Sequence, residues 1–432
     1  MTKITALTFG CSLNHADSEM MLGLLKQARF DIVEDPESAD LIIINSCTVK
    51  HLAEKKLFRS IEEFKAKGKH IVVAGCVAQA HQEYLSSMLR DYSVIGTKQI
   101  ANIVSIVNTT LDGNIIHALD INCDKRVCVP IVRRNPAIGI VPLAEGCVGD
   151  CSYCKTRQAR GRLVSYSPGA IVQRVRTDVQ QGCREIWLTS QDCGAYGQDI
   201  AENFVSLLKS VMKVEGDFKV RLGMSNPQHV LRYLPWLIEV FKEHAKPEGK
   251  LFNFIHIPVQ SGDDLILKAM NRKYTVDEFR KIVTTLRNEL PDITIATDVI
   301  VGFPGESDAQ FQNSMKLVKD CQFDVINISR FWPRPGTRAA SMPDQVHGQV
   351  SKVRSEQLKA VKDQMCAARN QFWKDWSGSI IIDEKGPTGG FIGRNYAYKP
   401  VAIQGNHSLG DVVEVKVTDT AAHHLGGAFN NA

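Results

Sequence analysis

Cys147, Cys151 and Cys154 stand in the segment CVGDCSYC, a CxxxCxxC run whose residue type and spacing point directly to chemistry. Three thiols this close cannot all pair among themselves, and the odd number argues against a disulfide framework. Three thiolates can hold three irons of a cubane [4Fe–4S] cluster and leave the fourth iron without a protein ligand. An open iron is where a small molecule can bind and take up an electron. Structural zinc sites close all four positions, commonly through two CxxC or Cys/His pairs, and no such partner pair follows this run. A zinc knuckle or chance spacing is the competing reading at this point.

The elements around the run read as two α/β series. Over the first hundred-odd residues, short apolar runs alternate with amphipathic stretches, the pattern of an open parallel α/β sheet. Ile4–Phe9 leads to Gly10-Cys11, Leu41–Asn45 to Ser46-Cys47, and Ile71–Ala74 to Gly75-Cys76. Each of these cysteines follows the C-terminal end of a predicted strand, where ligands bind in open α/β sheets. A lone cysteine there is ordinary packing material; three at equivalent positions suggest a second site.

The chain divides into residues 1–112, a linker at 113–135 holding Cys123 and Cys128 as structural or incidental cysteines, residues 136–370, and residues 371–432. In the central part, strands are predicted at Ile138–Ala144, Glu185–Thr189, Lys219–Gly223, Phe252–Val259, Ile293–Val301 and Val325–Phe331, with helices between them. Six strand–helix units suit a partial barrel, with chemistry at the C-terminal strand ends. A polar helix near 349–372 is expected to lead away from that barrel, packing through Val350, Val353, Gln357, Val361 and Met365. Short strands separated by glycine turns then suggest a small β-barrel of a kind that often binds RNA. Its five Lys/Arg and six Asp/Glu do not reinforce that reading, although Arg394, Tyr396, Tyr398 and Lys399 form a local cation–aromatic patch. Cys183, Cys193, Cys321 and Cys366 read as packing residues.

The net charge of +5 is mild, but between Asp124 and Arg176 ten Lys/Arg stand against three Asp/Glu, an excess that suits a polyanion such as RNA. No apolar run approaches the roughly 18 residues needed to cross a bilayer. The N-terminal MTKITALTFGC lacks a secretory apolar core. Twelve cysteines without an export signal fit a reducing compartment, so a cytoplasmic protein with no membrane partner is expected.

Taken together, the chain resembles the radical S-adenosylmethionine methylthiotransferase family over essentially its whole length. The CxxxCxxC run is similar to that superfamily's cluster motif. GCSLNHADSE from Gly10, NSCTV from Asn45 and AGCVAQ from Ala74 resemble the family's three-cysteine domain, and the end of the chain resembles its terminal TRAM barrel. The resemblance implies an α/β protein with an N-terminal open parallel domain, a central partial (β/α)6 radical-SAM barrel and a C-terminal TRAM-like β-barrel. It implies an enzyme that replaces a C–H bond by C–SCH3 with two [4Fe–4S] clusters and S-adenosylmethionine. Cys147, Cys151 and Cys154 would hold the cluster that cleaves S-adenosylmethionine to a 5′-deoxyadenosyl radical. Cys11, Cys47 and Cys76 would hold the cluster that carries the sulfur, and a second S-adenosylmethionine would supply the methyl group. Tyr153, Ser190, Gln191, Asp192, Arg221, Ser225, Gly302 and Gly305 fall on segments expected to cradle S-adenosylmethionine. No side chain is assigned a catalytic role, because the cofactors carry the chemistry.

Members of the family modify carbon 2 of adenosine 37 in tRNA or an aspartate of a ribosomal protein. EGCVGDCSYCKTRQARGRL from Glu145 is most similar to the archaeal and eukaryotic branch, whose substrate is N6-threonylcarbamoyladenosine. Arg157, Arg160, Arg330 and Arg334 are candidates to meet its carboxylate or RNA phosphates. The implied partners are tRNA, an electron donor such as a flavodoxin or ferredoxin, and a sulfur donor. The alternatives are the protein aspartate, isopentenyl-modified adenosine 37, and a non-catalytic iron–sulfur or zinc RNA-binding protein.

Overall fold

Strands β1 (Lys3–Phe9), β2 (Asp31–Ile32), β3 (Leu41–Ser46), β4 (His70–Gly75), β5 (Ser93–Ile95) and β6 (His117–Ala118) form one parallel sheet in the order β2-β1-β3-β4-β5-β6. This computed structural model describes residues 1–48, 51–120, 127–387 and 389–429; Cys123 and part of the expected linker lie outside the described residues. All six residues of β3 are buried, as its unbroken apolar run requires of a central strand covered on both faces.

The central region carries β7 (Ile138–Pro142), β8 (Ala144–Glu145), β9 (Val164–Ser165), β10 (Glu185–Thr189), β11 (Lys219–Leu222), β12 (Phe254–His256), β13 (Thr294–Val301) and β14 (Val325–Arg330). β7, β10 and β11 form one parallel sheet, β12, β13 and β14 another, and a parallel bridge from Val220 to Leu251 joins them. The result is a partial barrel of six parallel strands in sequence order. The expected strand Ile138–Ala144 ends two residues early. Leu143 N–H still donates to Thr189 O at 2.8 Å, but Leu143 O accepts from Tyr166 N–H at 3.0 Å, and Ala144–Glu145 turns into an antiparallel ribbon with β9. Helices on the outer face start where their caps dictate: Thr275 and Ser307 each close a capping box with the residue three positions on.

The long helix Gly348–Gln371 does not lead away from the barrel but packs back along β14. Its buried residues include Ser351, Arg354, Leu358 and Met365, while Val350 and Val353 are exposed. Helical spacing alone favoured the valine stripe. The helix instead turns the Arg354 guanidinium inward, where it bonds Glu306 at 2.8 Å and Asp308 at 2.7 Å.

β15 (Ser377–Lys385), β16 (Phe391–Arg394), β17 (Pro400–Ile403), β18 (Val412–Thr420) and β19 (Leu425–Phe429) close a barrel in the order β15-β16-β17-β19-β18. The Arg394–Lys399 patch is not offered to solvent. Tyr398 packs on Phe252 and Phe254 beneath the central barrel, and Lys399 is buried against Asp324 at 2.9 Å. Among the described residues, no helix is long and apolar enough to cross a membrane.

Candidate functional site

Register brings the first three cysteines together. Phe9 lies beside Ser46 and Ser46 beside Gly75, so β1, β3 and β4 end level. Neighbouring strands are about 4.8 Å apart, and Cys11, Cys47 and Cys76 follow these ends as side-by-side positions. Asn14, fully buried, knits them together: its Oδ1 accepts from Cys11 Sγ at 3.3 Å, and its Nδ2 donates to Asn45 Oδ1 at 3.0 Å and lies 4.0 Å from Cys76 Sγ.

The second trio surrounds a glycine. A Cβ on Gly149 would stand 3.3 Å from Cys147 Sγ and 3.8 Å from Cys151 Sγ, so the absence of a side chain there leaves room between the sulfurs. Gly149 N–H donates to Cys147 Sγ at 3.2 Å, Thr156 N–H to Cys154 Sγ at 3.4 Å, and Arg272 Nη1 to Cys151 Sγ at 3.2 Å. Burial, reinforced by the Asp192 carboxylate, pushes the Cys147 thiol up to about 12. Donors aimed at each sulfur suit thiolates bound to a cation. Among the described residues, no three His, Cys, Asp or Glu converge on one metal-ion position. Each thiolate of a cubane binds a different iron, so three neighbouring thiolates can hold a cluster without meeting at one point.

Arg160 links the two trios. Its guanidinium, out of solvent, donates to Asp17 Oδ2 at 2.6 Å on the helix Ser12–Gln27 and to Glu145 Oε2 at 3.0 Å, two residues before Cys147. Burial pushes the Cys76 thiol up, and Arg160 beside it offsets only part of that rise. A second buried junction runs nearby. Arg334 Nη1 donates to Glu54 at 2.9 Å, His81 bonds Thr48 Oγ1 at 2.7 Å, and Lys155 Nζ lies 3.3 Å from His81 Nδ1. Thr48 follows Cys47 and Lys155 follows Cys154, so the two three-cysteine sites border one buried junction.

These contacts correct part of the sequence reading. Arg160 and Arg334 are committed to buried carboxylates and are not offered to a substrate. Of the basic excess before Arg176, Arg133 and Arg174 pair with Asp178 and Lys155 is buried, so much of it is internal neutralisation. Arg157, 3.9 Å from Asp150, and Arg330 keep exposure.

Ser190, Gln191 and Asp192 follow β10 at the rim beside the cluster loop, with Gln191 Oε1 3.5 Å from Thr156 Oγ1. The Asp192 carboxylate is occupied by Asn226, which donates from its backbone N–H at 3.1 Å and from Nδ2 at 2.5 Å. Ser225 N–H bonds His256 O at 3.0 Å on the same rim. Tyr153 packs edge-on to Phe303, between Gly302 and Gly305. Gly302 has φ +75°, and a Cβ there would meet Ser351 Oγ at 2.0 Å. Arg221 does not join this group. It lies four residues before Ser225, inside the barrel and against Tyr398 at its floor. Asn14, Arg272 and the Arg160 junction carry no motif signal in one sequence. Only their positions three after Cys11 and six after Cys154 hint at Asn14 and Arg160, and Arg272 stands 121 residues beyond Cys151 in the sequence.

Residues 3–96 match uncharacterized protein family UPF0004, residues 141–318 the radical SAM superfamily and residues 379–429 the TRAM domain. The chain is 39% identical over 431 residues, 99% of each chain, to a probable threonylcarbamoyladenosine tRNA methylthiotransferase of Pyrococcus abyssi. It belongs to this methylthiotransferase family. The human threonylcarbamoyladenosine tRNA methylthiotransferase is 38% identical across 98% of this chain and 73% of its own length. Among solved structures, the radical S-adenosylmethionine methyltransferase TsrM of Kitasatospora setae superposes with a TM-score of 0.54 at 12% identity, covering 79% of this chain and 77% of that one. That likeness speaks for the fold alone. Membership of the methylthiotransferase family and the radical-SAM domain imply an enzyme that uses S-adenosylmethionine and [4Fe–4S] clusters.

Proposed function

We propose that this methylthiotransferase adds a methylthio group to carbon 2 of N6-threonylcarbamoyladenosine at position 37 of tRNA. The observation that carries the reading is the buried Arg160 bridge, which joins the helix after Cys11 to the segment before Cys147 and so ties the two three-cysteine sites together. A single-cluster carrier would need neither the second trio nor the barrel. The names of relatives at 38–39% identity over almost the whole chain support the substrate.

In this reading Cys147, Cys151 and Cys154 hold one [4Fe–4S] cluster and Cys11, Cys47 and Cys76 the other. When bound, the clusters and S-adenosylmethionine supply the electron, the hydrogen abstraction, the sulfur and the methyl group that turn C–H into C–SCH3. The chain's own part is ligation, orientation and exclusion of water. Gly149 keeps the space between sulfurs clear, and Arg272 fixes Cys151 through its Nη1 donor. Tyr153, Ser190, Gln191, Asp192, Ser225, Gly302 and Gly305 border the cofactor on the rim. Asp192 acts there by holding the Asn226 loop at the head of the helix Pro227–His244. The reaction consumes reducing equivalents and sulfur, so an electron donor of the flavodoxin or ferredoxin class and a sulfur donor complete it. A reducing cytoplasm suits thiolate ligands of this kind.

The deciding experiment is turnover by the anaerobically reconstituted full chain on anticodon stem-loop RNA bearing threonylcarbamoyladenosine, followed by nucleoside mass spectrometry. A methylthiolated nucleoside is the expected product. Turnover on unsubstituted or isopentenyl adenosine in its place would overturn the substrate, and formation of neither product by a fully iron-loaded enzyme would overturn the reaction.

A further inference from the structure

Complete eight-strand barrels fill their interior with apolar side chains. The inner face of the six strands here is mixed: Ile138, Ile140, Trp187 and Phe254 are apolar, but polar residues stand on the other strands. Val220, Leu222, Ile295, Val299 and Ile326 point outward and are buried under the helices, whereas Arg221, Asp298, Asn327 and Ser329 point inward and keep exposure. On β11, β13 and β14 the inner face is therefore polar and partly exposed, a hollow beneath the rim that carries the cluster loop.

Two polar assemblies line it. His256 Nε2 lies 3.0 Å from Asp298 Oδ1, and Asn327 Nδ2 donates to the same oxygen at 2.8 Å. Below them, Arg221 is caged by aromatic faces: its guanidinium carbon stands 5.1 Å from the Trp187 ring, 5.4 Å from Phe254 and 5.3 Å from Tyr398. The cage holds the plane of the guanidinium and leaves its N–H edge, the part that recognises carboxylates. The Arg221 Nε–H is buried with no hydrogen-bond partner among the described residues. Glu185, the acid nearest in sequence register, does not take it up; its Oε2 accepts from Trp187 Nε1 at 2.9 Å. Burial beside Asp383 also pushes the Glu185 carboxyl well above the ordinary carboxylate range.

We propose that Arg221, in its cage of Trp187, Phe254 and Tyr398, binds the carboxylate of an anionic arm on the substrate base, with the His256–Asp298–Asn327 chain meeting the arm's polar groups. This rests on the reading that the base carries threonylcarbamoyl. Arg221 lies four residues below Ser225, about 13 Å at full strand extension. A purine presented at the rim with its arm directed inward spans that depth. A carboxylate would satisfy the orphaned donor through a charge-assisted bond, while an apolar arm would leave it buried and unpaired. The hollow thereby selects for a carboxylate and against a greasy substituent.

The test compares affinities of the reconstituted full chain for two stem-loop RNAs, one bearing the threonylcarbamoyl acid and one its primary amide. Wild type should prefer the acid by roughly tenfold or more, the range of one charge-assisted hydrogen bond. Arg221→Gln should bind both alike, and Arg221→Lys should keep part of the preference through its charge. A retained preference in an iron-loaded Arg221→Gln protein overturns the subsite. So does a wild type that methylthiolates the acid RNA yet binds acid and amide equally. Should Arg221→Gln fail to fold, Asn327→Asp serves instead: a second carboxylate in the hollow should cut the preference, and an unchanged ratio overturns the proposal. A wild type that turns over only other adenosines overturns the substrate reading itself, a result distinct from loss of the subsite alone.

Discussion

Lys399 Nζ stands 2.9 Å from Asp324 Oδ1, both side chains almost out of solvent, and this pair fastens the C-terminal barrel to the central one. Arg287 and Arg369 reach the same carboxylate at 2.6 and 3.3 Å. Burial opposes the charge on Asp324, but Lys399, Arg287 and Arg369 outweigh it and hold the carboxyl down at about 2. Burial also pushes Lys399 down. The carboxylate faces three cations while the ammonium shares one anion, so Asp324 stays ionised and Lys399 is the member more easily discharged.

Asp324→Asn should therefore destabilise the protein by about 3 kcal/mol, since it leaves the buried Lys399 without its counter-ion. The depressed carboxyl also sets a pH dependence. Its contribution is complete above the unfolded value near 4 and is lost as pH falls through about 2, a change of about 2 kcal/mol. Urea unfolding between pH 5 and pH 2.5 should show this loss in wild type and a smaller loss in Asp324→Asn. Equal slopes would remove Asp324 as the acid-sensitive group.

Iron content separates the two cysteine trios. Fully loaded protein should carry about eight irons per chain, four for each cubane. Cys151→Ala and Cys76→Ala should each hold about four, and the double variant close to none. Eight irons in Cys76→Ala would dismiss the N-terminal trio as a ligand set.

Arg160→Met should cost roughly 3–5 kcal/mol, because Asp17 and Glu145 lose their shared cation inside the domain interface. A denaturant midpoint within error of wild type would show that the interface does not depend on this bridge.

Gly302→Ala should cost more than 1 kcal/mol, from the positive φ and from the collision with Ser351. Adding Ser351→Ala should recover the steric part only. Full recovery in the double variant, read by thermal unfolding, would place the whole cost on the collision.

The strand ends and their cysteines were legible because apolar runs and the residue after each run are local signals. Glu185–Thr189 is a strand at its predicted bounds. The short strands Phe391–Arg394 and Leu425–Phe429 were not legible, since glycines dilute their pattern and closure of the barrel is what pairs them. The basic excess around the CxxxCxxC run misled for a related reason. A sequence counts charges, but it does not show that Asp17, far along the chain, neutralises Arg160, or that Asp178, just past the counted stretch, is shared by Arg133 and Arg174. The family resemblance set Arg221 beside the cofactor, whereas its height in the barrel depends on how far β11 runs before the rim.

The Asp324–Lys399 pair also orders events during synthesis. Its partners are 75 residues apart, so at roughly 5–20 residues per second the ribosome delivers Lys399 several seconds after Asp324. Tyr398, the last wall of the Arg221 cage, arrives with it. Until then the nascent barrel has an open underside and an anion short of one cation. A chain released before Lys399 would thus expose an incomplete hollow to chaperones and proteases.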